Sequence, residues 1–70
     1  MNRTPVSSDN ISSIGYDLNS KTLEIQFNDG SIYQYYDVPD YVNRGLMGAS
    51  SHGTYFHQHI KGKYRYKKIS

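Results

Sequence analysis

The stretch Ile32-Tyr33-Gln34-Tyr35-Tyr36-Asp37-Val38-Pro39 constrains this chain more than any other. Its first half is dense in β-branched and aromatic residues, which suit a pleated, half-buried surface. Pro39 ends that run, because proline has no N–H to give to a ladder, and starts a helix, whose first turn needs none. The stretch is the joint between a β half before it and an α half after it.

The β half is the more regular. Leu23, Ile25 and Phe27 alternate with Thr22, Glu24 and Gln26, the period of a strand buried on one face. Ahead of it, Ile14 and Tyr16 alternate with Ser13, Gly15 and Asp17 in a strand over residues 11–17, and Leu18-Asn19-Ser20-Lys21 is a connection of hairpin length. Asn28-Asp29-Gly30 reverses the chain, with Gly30 free to take positive φ, and residues 31–36 return. A three-residue loop pairs Phe27 with Ser31 and puts Tyr33 and Tyr35 on the face of Ile25 and Leu23. A two-residue loop puts them with Gln26 and Glu24. A slip of one residue exchanges the faces. The three-residue loop with a glycine bulge gathers more apolar surface on one side and is the expected arrangement.

In the α half, Asp40 favours the positive end of a helix dipole, and Tyr41, Val42, Leu46 and Ala49 recur at helical spacing. Gly45 and Gly48 either weaken this helix or allow close packing. Ser50-Ser51 offers an N-cap for a second helix, with Phe56 and Ile60 on its inner face and Gly62 past its end. Residues 63–67 alternate basic groups with Tyr64 and Tyr66. The expected fold is α+β: a three-stranded antiparallel meander, two short helices packed on one face, and an extended basic C-terminal segment. Residues 1–9, polar and aperiodic, read as a flexible arm, leaving residues 10–70 as one domain.

Composition decides how such a domain is held together. Seventy residues without cysteine exclude disulfides and thiolate metal sites, so a small apolar core must suffice. The useful aliphatics are Ile11, Ile14, Leu23, Ile25, Ile32, Val38, Val42, Leu46 and Ile60, so some of the eight tyrosines must fill core volume. No apolar run has the length of a membrane span or signal peptide, and a soluble, cytoplasmic protein is expected.

Charge is unevenly spread. All six acids lie in residues 1–40 against Arg3 and Lys21, whereas residues 41–70 hold Arg44, Lys61, Lys63, Arg65, Lys67 and Lys68 and no acid. A basic half points to a polyanionic partner or to a solvated terminus. Lysine and arginine interleaved with tyrosine suit phosphate contact plus base stacking. Tyr33 and Tyr35 either stack on bases or, as the residue spacing favours, pack beneath the helices. Tyr36, on the other face, then joins Tyr64 and Tyr66 as a solvent-facing stacking residue.

His52, His57 and His59 do not form a metal motif: His57 and His59 point about 200° apart on a helix, and no carboxylate lies nearby. His57 or His59, with Tyr55, Lys61 and Arg65, supplies the groups a metal-independent ribonuclease requires, without a spacing that demands it. No phosphate-cradling glycine loop, nucleophile elbow or paired-carboxylate motif is present, and no cofactor or metal is expected.

In order and spacing, Ile14-Gly15-Tyr16-Asp17, Leu23-x-Ile25-x-Phe27, Gly30, Tyr33-x-Tyr35, Val38-Pro39, Ala49-Ser50, Gly53-x-Tyr55-Phe56 and Ile60 resemble the KTSC domain over about residues 7–66. That family takes its name from the C-terminus of some lysyl-tRNA synthetases and also occurs as short single-domain bacterial and phage proteins. Its hallmark Tyr-x-Tyr falls on Tyr33 and Tyr35, while His57 stands where the family often has asparagine. The resemblance implies little about activity, and RNA as a partner is suggested by the association with a synthetase. The expectation is therefore a non-catalytic module, monomeric or weakly dimeric, that binds RNA or another nucleic acid. The alternatives are a protein-interaction module and, third, a ribonuclease.

Overall fold

The alternating segment Thr22–Phe27 sits at the centre of a five-stranded antiparallel sheet in the computed structural model, which describes residues 1–70. The strands, β1 (Thr4–Pro5), β2 (Ile11–Asp17), β3 (Thr22–Phe27), β4 (Ile32–Tyr35) and β5 (Tyr66–Lys68), lie side by side in chain order. Two helices, α1 (Asp40–Gly48) and α2 (His52–His59), stand between β4 and β5 in sequence.

The β3–β4 hairpin has the three-residue loop. Phe27 N–H donates to Ser31 O at 2.9 Å, Gly30 has φ 92°, and the Asp29 carboxylate accepts from Ser31 N–H at 2.9 Å. Ile25 is thereby opposite Tyr33 and Leu23 opposite Tyr35, so both tyrosines face the helices. Ile32 falls on the other side of the sheet and is the one aliphatic of the expected set outside the core. In β2, a register shift at Ser12 sets Ile11 opposite Phe27 and Ile14 opposite Ile25. The bulge lets two isoleucines three apart reach one face, which unbroken alternation forbids.

Against that face pack Val42 and Leu46 of α1 and Phe56 of α2, with Val38 and Ile60 from the segments flanking the helices. Tyr16 donates to Val38 O at 2.5 Å, tying β2 to the joint before α1. Pro39 immediately precedes α1 and its carbonyl accepts from Val42 N–H at 3.0 Å, while Ser51 Oγ caps α2 by accepting from Thr54 N–H at 3.2 Å.

Two expectations need correction. The sheet has five strands rather than three, because both chain ends join it. Residues 1–9 are not a detached arm: Thr4 and Pro5 pair with Ile14 and Ser13. The C-terminal segment is likewise no free extension, since Gly62 at φ 78° turns the chain after α2 and Tyr66–Lys68 pair with Tyr35–Tyr33. Neither edge has a hydrophobic pattern of its own, and each is held by backbone bonds to a neighbour that sequence does not identify.

The sheet's outer face is polar and connected. Arg3 donates to both Ser13 and the buried Glu24, Gln34 donates to Glu24 at 2.9 Å, and Tyr36 donates to Gln34 at 3.2 Å. Burial acts to raise the Glu24 pKa, but the bonds from Gln34 and Arg3 and the guanidinium charge outweigh it and hold the carboxyl below its ordinary 4.5. Gly15 makes the crossing of the N-terminal segment possible, because a Cβ there would lie 2.6 Å from Asn2 O.

The Glu24 network and the two α1 glycines can each be tested by substitution. A folded-state pKa held below the unfolded value stabilises above the ordinary glutamate range and loses that effect as pH falls through it. Glu24→Gln is therefore expected to be less stable than the parent at pH 7, by about 1–3 kcal/mol, with the gap closing below about pH 4.5. A gap independent of pH in denaturant titrations refutes the charge argument. At Gly45 an added Cβ would meet Tyr55 Cζ at 2.6 Å, whereas at Gly48 it meets nothing within 4 Å. Gly45→Ala should lower stability by about 1–3 kcal/mol despite its better helix propensity, and Gly48→Ala should be neutral or stabilising by up to about 1 kcal/mol.

Candidate nucleic-acid interface

Five short strands make a sheet wider than two helices of nine and eight residues can cover. Where α2 stops short of β5, an open groove of about 670 Å³ remains. Its aromatic wall is Phe27, Tyr33, Tyr35, Phe56 and Tyr66. Antiparallel pairing of Tyr35 with Tyr66 and Tyr33 with Lys68 sets these side chains on one face. Tyr33 and Tyr35 stack with centroids 6.4 Å apart and planes 22° apart, and Tyr66 tilts against both at 6.0 and 5.9 Å. Phe56 meets Tyr35 edge-on at 5.5 Å, and Phe27 meets Tyr33 edge-on at 5.7 Å.

The hallmark pair therefore serves two ends. Tyr35 is buried at 6% exposure, Tyr33 is half-buried, and Tyr66 is 61% exposed, so the ladder climbs from core to solvent. Burial, followed by the neighbouring Tyr33 and Tyr66, pushes the Tyr35 pKa up to about 12.

Polar groups line the rim. Asp9, Asn10, Asn28, Asp29 and Ser31 lie at the hairpin end, and His57, Lys61 and Gly62 come from α2 and the turn after it. Ser31 holds Asp29 below the usual carboxylate range through side-chain and backbone bonds, with a smaller contribution from the charge of Lys68.

The residues singled out in the sequence are divided among several places. Lys61 and Tyr66 line the groove, and Lys68 stands beside Tyr33. Tyr36, Lys63, Tyr64 and Arg65 surround a shallower depression next to it, shared with Tyr66. There Arg65 bonds Asp37 at 2.7 Å and lies 5.6 Å from the Tyr36 ring centre. Lys67 pairs with Gln34 on the outer face. Arg44 belongs to α1 and pairs with Asp40 at 3.1 Å. Tyr64 is not solvent-facing: it packs half-buried on the core, and burial, then Tyr41 and Tyr55, raises its pKa.

The histidines also separate. His57 is in the groove wall, His59 stacks on Tyr55 at 4.3 Å, and His52 Nδ1 lies 2.8 Å from Leu46 O. Of the set a ribonuclease would use, only His57 and Lys61 line the groove. Sequence reading missed Phe27, Phe56, Asp9, Asn10, Asn28 and Asp29 as groove residues. The aromatics looked like core, and the turn residues looked like turn chemistry alone.

A family model for the KTSC domain matches residues 7–64. The chain belongs to the KTSC family. A KTSC domain protein from Yersinia pestis, known from a crystal structure, is 46% identical and superposes with a TM-score of 0.96 over 99% of this chain and 97% of that one. A lysine–tRNA ligase of Trichormus variabilis is 44% identical over 55 residues, which is 79% of this chain and 10% of the ligase. This KTSC chain thus spans about a tenth of the ligases it matches. An uncharacterised protein of Stutzerimonas stutzeri aligns over 99% of both chains at 39% identity. No helix of the KTSC fold here is long and apolar enough to cross a membrane.

Tyr35 gives this interface a test at high pH. A phenol whose folded-state pKa is raised stabilises fully below the unfolded value of 10.0 and loses that contribution as pH climbs through about 12. In an absorbance titration of tyrosinate, Tyr35→Phe should remove the latest-titrating phenol. If the late component persists in the variant, the assignment to Tyr35 fails.

Proposed function

We propose that this KTSC domain is a non-catalytic module of the cytoplasm that binds single-stranded RNA, or nucleic acid more generally, along its tyrosine-rich β4–β5 face. The observation that carries the reading is the Tyr33–Tyr35–Tyr66 ladder, open to solvent at Tyr66 and bordered by Lys61 and Lys68. Aromatic rings offer every base a stacking surface, and flanking lysines neutralise the phosphates between bases. Lys63, Arg65 and Lys67 extend the positive charge along the same end of the chain, with Tyr36 beside Arg65. The relatives named lysine–tRNA ligase add support, because a domain joined to such an enzyme works near an RNA.

A protein-interaction module is the second reading. It is favoured by β5, a sheet edge of three exposed residues able to accept a further strand, next to exposed tyrosine.

Salt separates the two. Fluorescence anisotropy of labelled single-stranded RNA and DNA is expected to show micromolar or tighter binding. With three phosphate contacts, affinity should fall about 20-fold between 50 and 200 mM salt. Changing Lys61, Lys63 and Lys68 together to alanine should abolish most of that dependence. Absence of binding at low salt sinks the nucleic-acid reading and leaves the protein interface.

A further inference from the structure

The groove is polar along its length, and this orders a ligand within it. α2 starts beside Asn10, whose Nδ2 would lie 3.0 Å from a Cβ at Gly53, and leads to the turn carrying Lys61, which shares the wall with Tyr66. One end therefore presents Asp9, Asn10 and Asp29, with Lys68 near Asp29 outside the lining, and the other presents Lys61. Between them lies the face of Tyr33 and Tyr66. Asp9 makes no side-chain hydrogen bond or ion pair, and Asp29 uses Oδ1 for Ser31 and leaves Oδ2 free.

A ligand that complements this arrangement is flat in the middle, anionic at one end and a hydrogen-bond donor at the other. We propose that the groove holds one unpaired nucleotide with its phosphate at Lys61, its base stacked on Tyr33 and Tyr66, and the amino-bearing edge of the base at Asp9 and Asp29. This rests on the nucleic-acid reading above and adds base selectivity to it. Carboxylates accept from the exocyclic amines of cytosine, adenine and guanine. Uracil instead presents carbonyl oxygens on either side of its single N–H, and two carboxylates repel them. Because Lys61, the one lysine lining the groove, stands at the end away from Asp9, the site also fixes the direction in which a strand crosses the sheet.

The test uses fluorescein-labelled hexamers of adenylate, cytidylate and uridylate RNA, titrated into the full chain at low salt. The adenylate and cytidylate hexamers should bind roughly fivefold or more tightly than the uridylate hexamer, the lower end of one good base-edge contact. The double variant Asp9→Ala/Asp29→Ser removes both carboxylates, while the hydroxyl introduced by the second change still offers the hairpin an acceptor. In it the preference should vanish through gain by uridylate and loss by the others. Lys61→Ala should weaken all three by one factor. Equal affinities in the parent chain, or a preference that survives the double variant with an unchanged circular-dichroism spectrum, overturn this proposal and leave RNA binding standing. No binding by any hexamer overturns both.

Discussion

The register of the β3–β4 hairpin governs the rest of the molecule. Because Gly30 takes positive φ and Ser31 returns its carbonyl to Phe27, Tyr33 and Tyr35 lie on the helix side, across from Ile25 and Leu23. One residue of slip would bury Gln34 and Ile32 there and turn the tyrosines outward. The pairing also places Gln34 where it bonds Glu24, so the polar outer face is set by the same turn as the aromatic inner one. β5 then inherits the register: Tyr66 joins the ladder because it is opposite Tyr35.

The groove is a product of a core short of aliphatics. Ten buried residues form the core, and Tyr35 and Phe56 supply much of its volume. A tyrosine used in this way keeps its hydroxyl near water, so the core's border stays aromatic and open rather than closing as aliphatic packing would. Two short helices leave that border uncovered. Structural packing and a stacking surface are here two ends of one ladder, with Tyr35 at the buried end and Tyr66 at the open one.

Charge is less one-sided in space than along the chain. Arg65 meets Asp37, Arg44 meets Asp40, and Lys68 is close enough to Asp29 to be felt by its carboxyl. The two arginine salt bridges are solvated pairs of small energetic weight, and Lys61, Lys63 and Lys68 form no salt bridge beside the tyrosines. The acids of the first half return to the basic half through the hairpin turn and the joint before α1.

The parts of this fold that are legible along the chain are those whose signal is local. Period-two alternation marks β3, Asn28-Asp29-Gly30 marks the hairpin, Pro39 and Ser51 mark the helix starts, and the ordered motifs point to the KTSC family. Turn chemistry and side-chain periodicity depend on neighbours in the chain, so they can be read there. The bulge at Ser12, the two edge strands, the burial of Tyr64 and the placing of Asp9 and Asp29 in one groove with the tyrosines emerge only in three dimensions. Edge strands are held by backbone hydrogen bonds, which carry no side-chain signature. The groove is assembled from the N-terminal segment, β3, β4, α2 and β5, and their proximity arises only when the apolar faces of sheet and helices are buried together.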